Sequence, residues 1–131
     1  MKRSLMLTIA SLLSILFLTF HLTDDIARGY EPGGLSNLVG GVVITVVWLY
    51  GALVLGERRS GHIIMLLGSL FSLVVPIIHM KGKGAGAASK IFNSSGHFFF
   101  VWTLLVIGVL GLFSVILSAR GLWNFSWRRS R

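Results

Sequence analysis

Residues 97–119 read HFFFVWTLLVIGVLGLFSVILSA. After His97 the run carries no ionisable side chain, and it exceeds the roughly 20 apolar residues that a helix needs to cross a bilayer. Three more stretches of the same kind precede it, at about 5–22, 36–55 and 62–79, and none has an acidic or basic side chain in its interior. A segment surrounded by lipid must satisfy its backbone N–H and C=O groups within itself, so each run is expected to be an α-helix. The predicted fold is an all-α membrane protein: an antiparallel four-helix transmembrane bundle, up-down-up-down, in one domain spanning residues 1–131 with a short basic aromatic tail at 120–131.

Composition agrees with that solvent. Of the 131 residues, 54% are hydrophobic and 12% are charged, against about 25% charged in an ordinary soluble domain. The net charge of +8 does not point to nucleic acid. Its Lys and Arg residues sit at the chain ends and between the apolar runs, where they meet anionic headgroups, and form no basic face. The chain has no cysteine, which excludes disulfides, thiolate catalysis and Cys-ligated metal or iron–sulfur centres.

The first run follows Met1-Lys2-Arg3 and has the outline of a signal peptide. It closes on Thr19-Phe20-His21-Leu22, which lacks the small residues of a cleavage site, so an uncleaved span is expected. The connection at 23–34 is acidic on balance and contains Glu31-Pro32-Gly33-Gly34, a turn leading into the second span. The short Gly56-Glu57-Arg58-Arg59-Ser60-Gly61 link predicts a tight hairpin between spans two and three. The 80–96 connection is rich in Gly, Ala, Ser and Lys, a linker composition. Its Lys81-Gly82-Lys83-Gly84 stretch lacks the pattern of a phosphate-binding loop.

Charge asymmetry sets the orientation. With the N-terminus inside, Lys2, Arg3, Arg58, Arg59, Arg120, Arg128, Arg129 and Arg131 are cytoplasmic, and Arg28, Lys81, Lys83 and Lys90 are outside. Eight against four places both termini in the cytoplasm, with the plasma (inner) membrane as the expected location. Trp123, Phe125 and Trp127 suit an inner interfacial anchor.

Small residues at helix-contact spacing, Gly68 with Ser72 and Ser114 with Ser118, predict close helix approach within the chain or between copies. Pro76 should bend or loosen the last turn of span three. No intramembrane carboxylate is present for proton-coupled export, and no nucleophile–base pair stands out. The functional expectation is therefore non-enzymatic: an accessory or scaffold protein acting through helix contacts, with the lipid bilayer, a second copy or another membrane protein as partner.

The sharper alternative concerns histidine. The expected topology brings His21, His79 and His97 to the outer face, where Asp24 and Asp25 follow His21 by three and four residues. Imidazole with carboxylate suits Zn²⁺, Fe²⁺ or Cu²⁺, and a histidine pair suits haem. The candidate metal ligands are His21, Asp24, His79 and His97, with Asp24 chosen over Asp25 on spacing that admits both, and a metal-dependent enzyme is one form this alternative takes. His62 begins span three at the opposite end and is expected to be an interfacial residue. Reporter domains fused after residue 131 and within residues 82–90 should score on opposite sides of the membrane. Scoring on the same side would mean that the number of spans is wrong.

Overall fold

The computed structural model describes residues 2–29, 34–81 and 97–129. Four helices account for nearly all of them: α1 (Lys2–Ala27), α2 (Gly34–Leu53), α3 (Arg59–Lys81) and α4 (His97–Arg129). No strand occurs among the described residues. All four helices are long and apolar enough to cross a membrane. At 1.5 Å per residue, α2 with its 20 residues measures about 30 Å, and α4 with 33 measures about 50 Å.

Three of the helices outlast their apolar runs, while α2 keeps the length of its own. α1 continues past Leu22 through His21-Leu22-Thr23-Asp24-Asp25 to Ala27, helped by the Asp24–Arg28 ion pair at one-turn spacing (2.8 Å). It stops at Gly29, whose φ of 68° is the left-handed conformation in which a helix C-terminus is commonly capped. The Gly29 N–H donates to the Ile26 carbonyl at 3.1 Å. α3 runs through Pro76 without a break. The aromatic, basic segment after Ala119 is a continuation of α4 as far as Arg129.

One stripe on each of three helices makes the core. On α1 the buried stripe includes Leu7, Ser11, Ser14, Leu18, His21 and Asp25, alternating by four and three residues, with Ala10 and Ile15 beside it. The same alternation picks out His62, Met65, Ser69 and Ser72 on α3, and Phe100, Leu104, Ile107, Gly111, Ser114 and Ser118 on α4. Such spacing lines one side of a helix. Because so many of these residues are small, the backbones approach closely: the Ser72 hydroxyl donates across to the Ile107 carbonyl at 3.2 Å. Ser14 caps its own chain's Ala10 carbonyl at 2.9 Å, which lets a hydroxyl be buried without an unpaired donor. Gly68, Ser72, Ser114 and Ser118 are thus used inside the chain.

α2 stands apart. It touches α1 and α3 but not α4, and only Trp48, Gly51 and Ala52, near its end, are buried. Trp48 is 1% exposed and lies flat against Gly68 of α3, where an added Cβ would overlap the indole. A Cβ at Gly51 would come within 2.5 Å of Ile64. In the first turn of α3, the His62 ring is seated on Gly121 of α4 and packs edge-on to Phe125.

The outer surface is the reverse of a soluble protein's. Leu67 (62% exposed), Val109 (61%) and Val46 (57%) typify a continuous apolar exterior on all four helices, far beyond the patches that monomers leave in water.

The Trp48–Gly68 seat generates a paired expectation. Gly68→Val should destabilise the chain by about 1–3 kcal/mol through overpacking, whereas Gly40→Ala, with nothing within 4 Å of the added carbon, should not. Thermal unfolding in detergent checks this, and equal midpoints for the two variants would remove Trp48 from its assigned place.

Candidate functional site

The end of α1, the end of α3 and the first turns of α4 converge on a cluster formed by His21, Asp25 and His79. One ligand atom from each lies within 4.8 Å of the others. His21 and Asp25 are 2% and 4% exposed, and His79 is partly buried. Phe100 closes the cluster from α4, its ring centroid 5.0 Å from His21 and 5.9 Å from His79. The two imidazoles meet edge-on with centroids 4.9 Å apart.

The proton positions follow from the partners. The Thr103 hydroxyl donates to the Phe100 carbonyl at 3.0 Å, so toward His21 it acts as an acceptor, and His21 Nδ1–H donates to it at 3.1 Å. His79 Nδ1–H donates to the Val75 carbonyl at 2.8 Å, which can only accept. Both Nδ1 atoms therefore carry their protons, and in the neutral rings the lone pairs lie on Nε2. Both Nε2 atoms face the same oxygen: Asp25 Oδ2 is 3.3 Å from His79 Nε2 and 3.5 Å from His21 Nε2.

Three lone-pair-bearing atoms thus surround one small volume in a buried setting. A proton on His79 Nε2 or on the Asp25 carboxyl joins those two groups, yet among the described residues His21 Nε2 and Asp25 Oδ1 still have no hydrogen-bond partner. Leaving such atoms unpaired is costly in a low-dielectric surrounding. A cation coordinated by all three removes the conflict. The 3.3 and 3.5 Å separations are close to the edge of about 3.3–3.4 Å implied by tetrahedral ligands some 2.0–2.1 Å from zinc.

The sequence candidates separate here. His21 and His79 come together. Asp25, not Asp24, is the carboxylate between them: it lies on the buried stripe of α1, four residues after His21, while Asp24 Oδ1 is turned to Arg28. His97 is the first residue of α4, and its side chain lies outside the described residues. His62 is remote, its Nδ1–H donating to the Arg58 carbonyl at 3.2 Å. Thr103 and Phe100 carried no signal in the sequence, since an outer partner from another helix is fixed only by helix register. A cavity of about 540 Å³ adjoins the cluster, between α1, α2 and α3.

No family model, curated protein or solved structure matches the chain. The chemistry of the cluster has to be read from its own atoms. Nitrogen NMR on histidine-labelled, metal-free protein in detergent should show Nδ1 of His21 and His79 protonated whatever the charge state of the rings. A deprotonated Nδ1 on either ring would remove the convergence of Nε2 lone pairs.

Proposed function

We propose that this chain is an integral membrane protein whose function is to hold a divalent transition-metal ion, of the zinc or iron(II) class, between His21, Asp25 and His79. It crosses the bilayer four times, up-down-up-down, with both termini in the cytoplasm of a plasma (inner) membrane and the metal centre near the outer face. The membrane reading is supported by the four long apolar helices and their apolar exterior, the orientation by the eight-to-four distribution of Lys and Arg.

One observation carries the metal reading: with both Nδ1 protons committed to Thr103 and Val75, two Nε2 lone pairs and a carboxylate oxygen face one another in a buried site. This is how proteins prepare imidazole ligands, since a hydrogen bond on the far nitrogen fixes the tautomer and the ring orientation. The ion neutralises Asp25 and satisfies His21 Nε2. Two imidazoles and one carboxylate suit zinc and iron(II) equally. Haem fits less well, because its ring would have to pass between imidazoles where Asp25 stands. His97, one helical turn before Phe100 in sequence, is carried as a further ligand on spacing alone. Gly68, Ser72, Ser114 and Ser118 pack within the chain, which favours a site over a scaffold built on those contacts.

Chain purified in detergent and dialysed against trace Zn²⁺, Fe²⁺ or Cu²⁺ should retain about one ion on elemental analysis. His21→Ala, His79→Ala and Asp25→Ala should each lose it, and Asp24→Asn should keep it. Thr103→Val, which removes only the partner of His21 Nδ1, should weaken binding by roughly 10–100-fold. Folded wild-type chain that retains none of the three ions, or binding that survives Asp25→Ala and His79→Ala together, would rule the centre out.

A further inference from the structure

The cavity beside the metal site has the wrong lining for a water-soluble ligand. Leu18 and Leu22 of α1, Val42 and Thr45 of α2, and Phe71 and Val75 of α3 form its walls, and His21, Asp25 and His79 form its polar end. Among the described residues no Lys or Arg lines it. Its volume of about 540 Å³ falls in the range of roughly 300–1,000 Å³ typical of ligand pockets. Along α2 the lining runs from Ser36 to Val46, about 15 Å of helix at 1.5 Å per residue.

The cavity exists because α2 is attached by one end. Trp48, Gly51 and Ala52 bring the second half of α2 onto α3, while residues 34–40 are exposed and the helix has no contact with α4. The gap this leaves lies among apolar helices, so its natural supply of ligand is the lipid phase. A mostly apolar space that extends along α2, with Thr23, Ser36 and Asn37 joining the His21, Asp25 and His79 groups as its polar lining, fits an unbranched chain with a single polar head.

Charge chooses the head. Without an ion, the polar end holds Asp25, two imidazoles and the one proton that joins them, and it offers an anion no net positive charge. With a dication bound, the three protein groups leave a net positive charge and, at a coordination number of four or five, at least one position for an outside ligand. An anionic oxygen fills that position and neutralises the residual charge.

Resting on the metal reading above, we infer that the cavity between α1, α2 and α3 is a metal-dependent binding site for a single-chain amphiphile with a carboxylate head, a fatty acid, whose head completes the coordination of the ion at His21, Asp25 and His79.

The full chain in neutral maltoside micelles, either loaded with Zn²⁺ or stripped by chelator, is equilibrated with radiolabelled dodecanoate or dodecanol, and protein-bound label is measured after subtraction of protein-free micelles. Zinc-loaded protein should retain roughly tenfold more dodecanoate than stripped protein, a coupling of ordinary size between two ligands. Dodecanol retention should not respond to zinc. Thr45→Phe, which places a ring in the cavity, and Gly41→Val, which narrows it against Leu22, should keep zinc and lose dodecanoate. Dodecanoate retention that is independent of zinc, zinc-dependent retention of dodecanol to the same extent, or full retention by both cavity variants would each overturn the inference. Zinc bound without dodecanoate sinks this inference alone, and a chain that takes up no metal sinks the metal reading beneath it. The two zinc arms need no variant, so a poorly folding variant cannot decide the matter.

Discussion

Close approach of α1, α3 and α4 is the constraint from which the remaining architecture follows. In the proposed lipid setting, helices have no hydrophobic drive to associate, so they must gain by contact. Ser11 and Ser14, Ser69 and Ser72, Ser114 and Ser118 are all fully buried, and each replaces a bulk that would hold two backbones apart. Ser72 reaches the Ile107 carbonyl only because the helices are that near. The same proximity brings Thr103 of α4 to His21 of α1 and seats His62 on Gly121. A larger residue anywhere along these stripes moves a helix, and with it a side chain of the cluster.

The same rule explains why α2 differs. Its small residues are split: Gly51 and Ala52 face the core, whereas Gly40 has nothing near it. Trp48 fastens one half against Gly68, and the other half diverges. Three helices form a tight core and the fourth forms one wall of a cavity. Polar groups then concentrate where that wall meets the ends of α1 and α3.

Much of this was legible in the chain, and the reasons differ by feature. The four helices announce themselves by length and apolarity, both of which suit a bilayer's thickness. Their ends do not, because Asp24, Asp25 and Arg28 look like a loop until the one-turn pairing of Asp24 with Arg28 and the Gly29 stop are recognised as a helix terminus. The choice of Asp25 over Asp24 was available in the four-three alternation of Leu7, Ser11, Ser14, Leu18 and His21, which reaches Asp25 and skips Asp24. Small-residue spacing showed that helices approach, but not which ones. The partners supplied by another helix were out of reach: the Thr103 acceptor and the Phe100 lid depend on the register of α4 against α1, and no local pattern in either helix encodes it.

The committed Nδ1 protons have a thermodynamic consequence. In the proposed metal reading, an ion displaces no proton from those positions and competes only for the Nε2 lone pairs and the Asp25 oxygen. Were the proposed ion bound, its two imidazole ligands would be oriented by hydrogen bonds, to Thr103 and to Val75, that never touch it.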